Sequence, residues 1–422
     1  MMRVDLITPP FSGHLHPLLG IGRRLARDDI QVRVISTESA RARVIASGLE
    51  PFVILAGADD AVQAIAEPPD AVRSNPFRLN AQFRATLALL GRMREEVAAL
   101  YRVSPPQLAI VDFTLPLAGV VAREAGVPWW TSLPSPSVVE TSDGPPSYLG
   151  GLGAREDLVG RIRDAAGRAL IRGFKRSVAR WHRERLRALG LPEVYRADGS
   201  EAAYSPECIL ALGLRELEFA REWPQAMRFV GPVCYTPPGL GPPPPFVSGR
   251  RHVLITLGTH LRSHKDRVAD AARTAARALP QLEFHFSDGC VEASPREANQ
   301  AGGGPANFHR LPFVDYSLLS RYDLVVHHAG AGILNETIAA GLPAIVLPLD
   351  YDQFDNAARL QAAGLATRLR SLSDLPRAIE KTLSAPSDDA DTRARYRALL
   401  LTDPAEDQVA ALVHEQLRQA GP

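Results

Sequence analysis

Two stretches of the chain hold side chains whose types and spacing could do chemistry. The first, PPFSGHLHPLLGIGRRLA at residues 9 to 26, places His14 and His16 two apart, between a strand-like run from Val4 to Thr8 and a helical pattern from Leu18 to Arg27. Either ring could serve as a base there, or simply pack. As a pair they could begin a metal site, but no carboxylate or cysteine cluster nearby completes a coordination sphere, and no metal is expected. The second stretch, VVHHAGAGILNETIAAGLPAIVLPLDYDQFDNAARL at residues 325 to 360, runs from a strand into His327-His328, alternates small residues through Ala329-Gly330-Ala331-Gly332, and opens a helix near Ile333. Small residues at a helix N-terminus let backbone N–H groups approach a ligand, and the helix dipole favours an anion. An isolated G-x-G would as readily be a tight turn that needs glycine for steric reasons. Here Glu336 follows eight residues after His328, and Asp352-Gln353 follows sixteen after that, beyond the next strand and hence at the same sheet edge. Phosphate donors, a carboxylate and an Asp-Gln pair on one rim suit a nucleotide sugar, with diphosphate at the glycines, ribose at Glu336 and hexose hydroxyls at Asp352 and Gln353.

Such a rim needs a scaffold that gathers strand ends, and the rest of the chain reads as one. Strand-like runs at Val4 to Thr8, Gln31 to Ser36 and Leu108 to Val111 alternate with helical patterns at Leu18 to Arg27, Ser39 to Ser47 and Pro76 to Tyr101. This alternation predicts a parallel sheet covered by helices, with ligands outside the carboxyl ends of the strands. At Thr236 to Phe246, TPPGLGPPPPF can be neither helix nor central strand, because proline lacks the N–H and fixes φ. It reads as a linker between residues 1–235 and 247–402. Beyond it the rhythm restarts, with strands at Val253 to Leu257, Leu282 to Phe286, Asp323 to His327 and Ala344 to Leu347, and a helix from Lys265 to Leu279. AGGGPANF at Ala301 to Phe308 reads as a loop, and residues 403–422 as a terminal helix able to pack back on the first domain. Ala154 to Leu191 is helical and rich in arginine, which suits a solvated helix pair or, alternatively, a weak contact with an anionic membrane surface or an acceptor entrance.

Composition narrows the partners. At 422 residues the chain is longer than one hydrophobic core usually serves, so two domains are expected. A formal net charge of +1 lacks the basic excess that tracks a phosphate backbone, so nucleic acid is not an expected partner. Cys208, Cys234 and Cys290 fit neither a disulfide framework nor a zinc site, and suit a reducing compartment. Pro9-Pro10 interrupts anything like a signal-peptide core and no apolar run approaches a membrane span, so a cytoplasmic protein is expected. Monomer and homodimer remain open.

The motifs together resemble the bacterial, natural-product branch of the family 1 glycosyltransferases, inverting enzymes of the GT-B fold. Their donor signature is matched by His328, Gly330, Gly332, Glu336, Asp352 and Gln353, their base-stacking aromatic by Phe313-Val314, and their phosphate-contacting pair by Gly258-Thr259 in VLITLGTH. FVGPV, Phe229 to Val233, matches the usual close of their first domain. The chain departs from them at Ala329, where a second glycine is common, and at Ile333-Leu334, where hydroxyl residues are common. The resemblance implies an α/β protein of two Rossmann-like domains facing across a cleft, the N-terminal one for the acceptor and the C-terminal one for the donor. It implies diphosphate at Gly258, Thr259, His328, Gly330, Ala331, Gly332 and the backbone of Ile333; nucleoside at Phe313, Val314 and Glu336; and sugar at Asp352 and Gln353.

The same resemblance puts the base on His14, in an N-terminal loop where Ser12 and Gly13 lie near the donor, with His16 on the first turn of the following helix. A helix N-terminus disfavours imidazolium, which would keep His14 a neutral base near pH 7. Asp112, closing the strand LAIVD, is implied as the carboxylate that orients it; the alternative is that Asp112 caps the helix holding Leu117 to Ala125. The implied reaction moves a hexose from a UDP- or TDP-linked donor to a hydroxyl or similar nucleophile of a small, apolar natural product, with no cofactor. DFTLPLAG and PWWTSLPSPS offer apolar and aromatic surface for that acceptor, although Trp129 and Trp130 could equally be core. A sugar-nucleotide epimerase of the same architecture, which needs no acceptor site beside His14 and Asp112, and a silent nucleotide-sugar-binding accessory protein are the rival readings.

Overall fold

The computed structural model describes residues 2–67, 76–191, 193–237, 243–290, 304–384 and 388–419. The chain forms two compact units, one of residues 1–147, 154–235 and 403–422, the other of residues 148–153 and 236–402. The middle of the proline-rich stretch, residues 238–242, and residues 301–303 of the glycine-rich one lie outside the described residues.

In the first unit the β-branched runs form strands β1 (Arg3–Ile7), β2 (Gln31–Ser36) and β4 (Leu108–Asp112), joined by β3 (Glu50–Val53), β5 (Trp129–Leu133), β6 (Ile209–Ala211) and β7 (Met227–Phe229). All pair in parallel, in the order β3-β2-β1-β4-β5-β6-β7. Residues of one strand alternate between two cores. Val4 and Leu6 pack with Leu18, Leu19 and the terminal helix Ala405–Gln419, while Ile7 packs with the helices Pro76–Val103 and Pro116–Glu124. Trp130 lies in the first of these cores and Trp129 in the second, both buried. The terminal helix is fastened to the helix Ser12–Ala26 through Arg24 to Asp407 and through His414 Nε2 to Asp28 Oδ2 at 2.7 Å.

That helix begins earlier than the sequence suggests. Its first turn closes on the Phe11 carbonyl, which accepts from His14 N at 2.9 Å and Leu15 N at 2.8 Å. Ser12 and Gly13 are thus helical rather than on a loop, and both histidines sit on the helix. Leu15, Leu18 and Leu19 are all fully buried at helical spacing, and their burial holds the turn together although Pro17 removes one N–H from the ladder.

The second unit repeats the plan with β8 (Arg251–Thr256), β9 (Leu282–Ser287), β10 (Phe308–Leu311), β11 (Leu324–His327), β12 (Ala344–Val346) and β13 (Ala366–Arg368), parallel in the order β10-β9-β8-β11-β12-β13. Residues 148–153 also belong here rather than to the first unit as the sequence suggests. Tyr148 N donates to Asp355 Oδ2 at 2.7 Å, and at Gly151, where φ is +75°, a Cβ would stand 2.0 Å from the Phe354 carbonyl oxygen. Only glycine allows that approach. Among the described residues no helix is long and apolar enough to cross a membrane.

Candidate active site

In open parallel sheets, ligands collect at the carboxyl edge where the strand order reverses. The first sheet reverses between β1 and β4, and the second between β8 and β11. Every residue expected to do chemistry or hold phosphate follows one of these four strands. At the first reversal, the helix after β1 presents His14 and the end of β4 presents Asp112, with His14 Nδ1 2.9 Å from Asp112 Oδ2. Asp112 is fully buried, whereas the His14 side chain keeps 25% of its surface exposed. The other oxygen, Oδ1, accepts from Thr114 N at 3.0 Å and from Thr114 Oγ1 at 2.6 Å. Both carboxylate oxygens are occupied in place. Asp112 does not cap the following helix, whose N-cap is Leu115. With Nδ1 held by a carboxylate, the tautomer that carries its proton on Nδ1 is favoured and Nε2 keeps a lone pair. Phe113 stacks on the imidazole at 5.6 Å between centroids and Phe11 meets it edge-on at 6.4 Å, so the ring sits between apolar walls.

His16 is a different kind of histidine. Its Nε2 is buried with no hydrogen-bond partner, and burial, helped by the nearby Arg43, pushes its pKa down to about 3. Arg43 itself donates to the Pro10 carbonyl at 2.7 Å and to Ser12 Oγ at 3.3 Å, which ties up the Ser12 hydroxyl. Gly13 is exposed, with open space where a Cβ would stand.

At the second reversal, β11 delivers His328, then Ala329 at φ +68°, then Gly330 as N-cap of the helix Ala331–Ala340. The first intrahelical bond runs from Leu334 N to Gly330 O, so the N–H groups of Ala331, Gly332 and Ile333 precede the ladder and point out of the helix end. The His328 ring lies between two glycines. A Cβ on Gly330 would come within 2.3 Å of Nε2 and one on Gly258 within 3.0 Å of Cε1. Gly330 has an ordinary φ of −68°, so it is the ring, not the backbone, that demands glycine there. Gly332, by contrast, has nothing within 4 Å of a Cβ position and is exposed. Burial, then the charge of His260, pushes the His328 pKa down to about 3, and its Nδ1 has no partner. Thr259 lies next to Gly258, whose N–H donates to Thr256 Oγ1 at 3.1 Å.

Around the same edge sits Glu336, whose carboxyl has no hydrogen bond or ion pair among the described residues. Burial, then the negative Asp315, raises its pKa to about 7. The Tyr316 hydroxyl lies near the Thr256 side chain and the Glu336 carboxyl, and burial raises its pKa to about 12. Phe313 stacks on Tyr316 at 6.2 Å between centroids. The Val314 side chain belongs to the core with Leu254 and Ile333, so only its backbone can face a ligand. Asp352 precedes the helix Gln353–Ala362. Gln353 is buried, and its Oε1 accepts from Leu349 N at 2.9 Å and Asp350 N at 3.0 Å, leaving its NH2 group as the donor available to a ligand. Asn356 Nδ2 links the two loops, donating to the Ala329 carbonyl at 3.0 Å and to Asp352 Oδ2 at 3.2 Å.

Residues 252–399 match the family model described as the glycosyltransferase family 28 C-terminal domain. The whole chain is similar to 4'-demethylrebeccamycin synthase from Lentzea aerocolonigenes, 26% identical over 415 residues and 95% of each protein. Among solved structures, the glycotransferase of kitacinnamycin superposes with a TM-score of 0.77 at 21% identity, covering 99% of both chains. The glycosyltransferase SsfS6 from Streptomyces sp. SF2575, complexed with thymidine diphosphate, superposes at 0.66 with 17% identity, covering 98% of this chain and all of that one. The chain has the GT-B fold of these glycosyltransferases.

Both departures noted in the sequence have a structural counterpart. Ala329 adopts the left-handed conformation in which glycine would be unstrained, and its side chain is fully buried. Ile333 and Leu334 are core residues, so the helix end meets a ligand with backbone alone. Leu261, Ala329 and Tyr351, all non-glycine residues with positive φ, sit on the loops that follow β8, β11 and β12. Strain of this kind gathers at ligand sites. Sequence reasoning missed Thr256, Tyr316 and Asn356. Tyr316 stands three residues after Phe313 and could have been suspected from a second aromatic in PFVDY; Asn356 has no signal in one sequence, since its partners lie 27 and 4 residues away.

Proposed function

We propose that this glycosyltransferase inverts the anomeric carbon, moving a hexose from a UDP- or TDP-linked donor to a hydroxyl, or similar nucleophile, of a small apolar natural product. His14 Nε2 takes the acceptor proton as the acceptor oxygen attacks the anomeric carbon. The bond from that carbon to the diphosphate oxygen breaks, and its electron pair leaves with the diphosphate. Asp112 holds the imidazole orientation and stabilises the imidazolium. The developing charge meets Thr259, His328 and the N–H groups of Ala331 to Ile333, without a metal in this reading. Glu336 accepts from the ribose, Phe313 and the Val314 backbone meet the base, and Asp352 with the Gln353 amide meets the hexose.

The observation that carries the proposal is the buried Asp112 held against a partly exposed His14 at the reversal of the first sheet, at 2.9 Å. Phe11 and Phe113 beside that ring favour an apolar acceptor. The thymidine diphosphate carried by SsfS6 supports a nucleoside diphosphate as the donor's leaving group. Calorimetry with UDP and TDP tests the donor half. Wild type should bind at least one of them, and His328→Ala should bind it, and the intact sugar nucleotide, more weakly. No detectable binding of either nucleotide to wild type would reject the donor site.

A further inference from the structure

The helix Leu158–Trp181 is mounted inside out. Its polar side faces the protein: Lys175 Nζ reaches Glu140 Oε1 at 2.6 Å and Glu201 Oε1 at 2.5 Å, Arg172 Nε reaches Glu140 Oε2 at 3.0 Å, and Gly160, Asp164 and Gly167 are buried. Most of its large apolar residues face away, Ile171 and Val178 being the half-buried exceptions. Leu158, Val159, Ile162 and Leu170 are each more than 60% exposed, Phe174 is 45% exposed and Trp181 70%. With 100° between successive residues these side chains share one stripe, spread over roughly 36 Å for 24 residues. A soluble helix normally buries such a stripe, and here the ion pairs to Glu140 and Glu201 hold it outward.

Charge identifies what covers it. Residues 158 to 188 carry ten Lys and Arg against Asp164 and Glu184, in a chain whose net charge is only +1. Exposed Arg176 and Arg180 share that side of the helix toward its C-terminal end, and exposed Arg161 lies beside it. Where the helix ends, a cavity of about 520 Å³ is lined by Arg84, Arg180, Arg183 and Arg185 around Trp181, with His182 and Glu184 completing the wall. We propose that this helix docks the glycosyltransferase on a bilayer surface rich in anionic phospholipid. The aliphatic and aromatic stripe enters the level of the acyl boundary, Trp181 lies at headgroup depth, and the flanking guanidinium groups and the arginine-lined cavity take phosphodiester oxygens. The stripe runs the length of the helix with arginines beside it, an arrangement that suits a fluid anionic interface.

Flotation of the full chain with phosphatidylcholine vesicles, with and without phosphatidylglycerol, tests this. Binding should require the anionic lipid, weaken with salt, and fall about fivefold for each arginine removed from the surface, which Arg176→Gln and Arg180→Gln measure. Leu170→Ser combined with Phe174→Ser should abolish it while circular dichroism stays unchanged. Independently, bound vesicles should blue-shift tryptophan emission, and Trp181→Phe should remove that shift while the buried Trp129 and Trp130 still report folding. Absence of binding to anionic vesicles at low salt would overturn the proposal, as would undiminished binding by the serine variant. Self-association of wild type that the serine variant abolishes would also overturn it, by making a second copy the occupant.

Discussion

Replacing Glu336 by glutamine should make the second unit more stable and worse at binding nucleotide. Lifting a carboxyl from its ordinary 4.5 to about 7, chiefly by burial, penalises the ionised form by about 3 kcal/mol. The unfolded chain releases this proton near pH 4.5, whereas the folded protein keeps it until about 7. Stability contributed by the raised pKa is therefore fully present below 4.5, falls as pH rises between those values, and stays lost above. Glutamine does not titrate. Glu336→Gln should thus exceed wild type by up to about 3 kcal/mol at pH 8, with the gap closing toward pH 4.5. The ligand should reverse the preference. A solitary carboxylate accepts strongly from ribose hydroxyls, so UDP or TDP should bind wild type more tightly as pH rises through 7, and the variant about tenfold more weakly at pH 8, with that pH dependence gone. Chemical denaturation at pH 5 and pH 8, paired with calorimetry at the same values, reads both effects. A stability gap that is the same at both pH values would refute the burial argument, and unchanged nucleotide affinity would remove Glu336 from the nucleoside site.

Gly330→Ala should displace the His328 ring and lose donor affinity, because its Cβ would stand 2.3 Å from Nε2; Gly332→Ala should leave folding intact and weaken nucleoside diphosphate and sugar nucleotide alike, as thermal melts and calorimetry on both variants will show. Gln353→Ala should weaken the sugar nucleotide by about 1–3 kcal/mol while sparing free nucleoside diphosphate, and equal losses of both ligands would place Gln353 at the nucleotide instead. Asp112→Asn keeps an acceptor for Thr114 but offers His14 Nδ1 an N–H, so turnover should fall about 10²–10⁴-fold with the melting temperature near that of wild type; unchanged turnover would leave Asp112 a purely structural role.

The strands easiest to read were those rich in β-branched, aliphatic and aromatic residues. Gln31 to Ser36 was legible to the residue, and β1, β4, β8, β9, β11 and β12 to within two, because strands buried on both faces are mostly apolar even where Asp5, Arg33, Glu283 and His285 interrupt them. β6, β7 and β13 have three residues each and carry no period to detect, and β3 holds Pro51, which disguises an edge strand. The start of the first helix was hidden for the same reason: Gly13 and Pro17 read as breakers, and only the burial of Leu15, Leu18 and Leu19 outweighs them. At the site, the meeting of His14 with Asp112 was implied by the family resemblance, and the two come together where neighbouring β1 and β4 end at the reversal of the first sheet. The different fates of His14 and His16 were not, since they depend on which ring faces a carboxylate and which faces Arg43. Nor could sequence show that Gly330 makes room for an imidazole whereas Gly332 leaves open space.

Turnover of the same sugar nucleotide and the same acceptor by wild type, His14→Ala and His16→Ala tests the central claim most directly, read as nucleoside diphosphate released together with glycosylated product. His14→Ala should lose about 10²–10⁴-fold in turnover with donor affinity near wild type, and His16→Ala should lose much less. Equal losses from the two substitutions, or sugar nucleotide isomerised by wild type in the absence of any acceptor, would contradict the account.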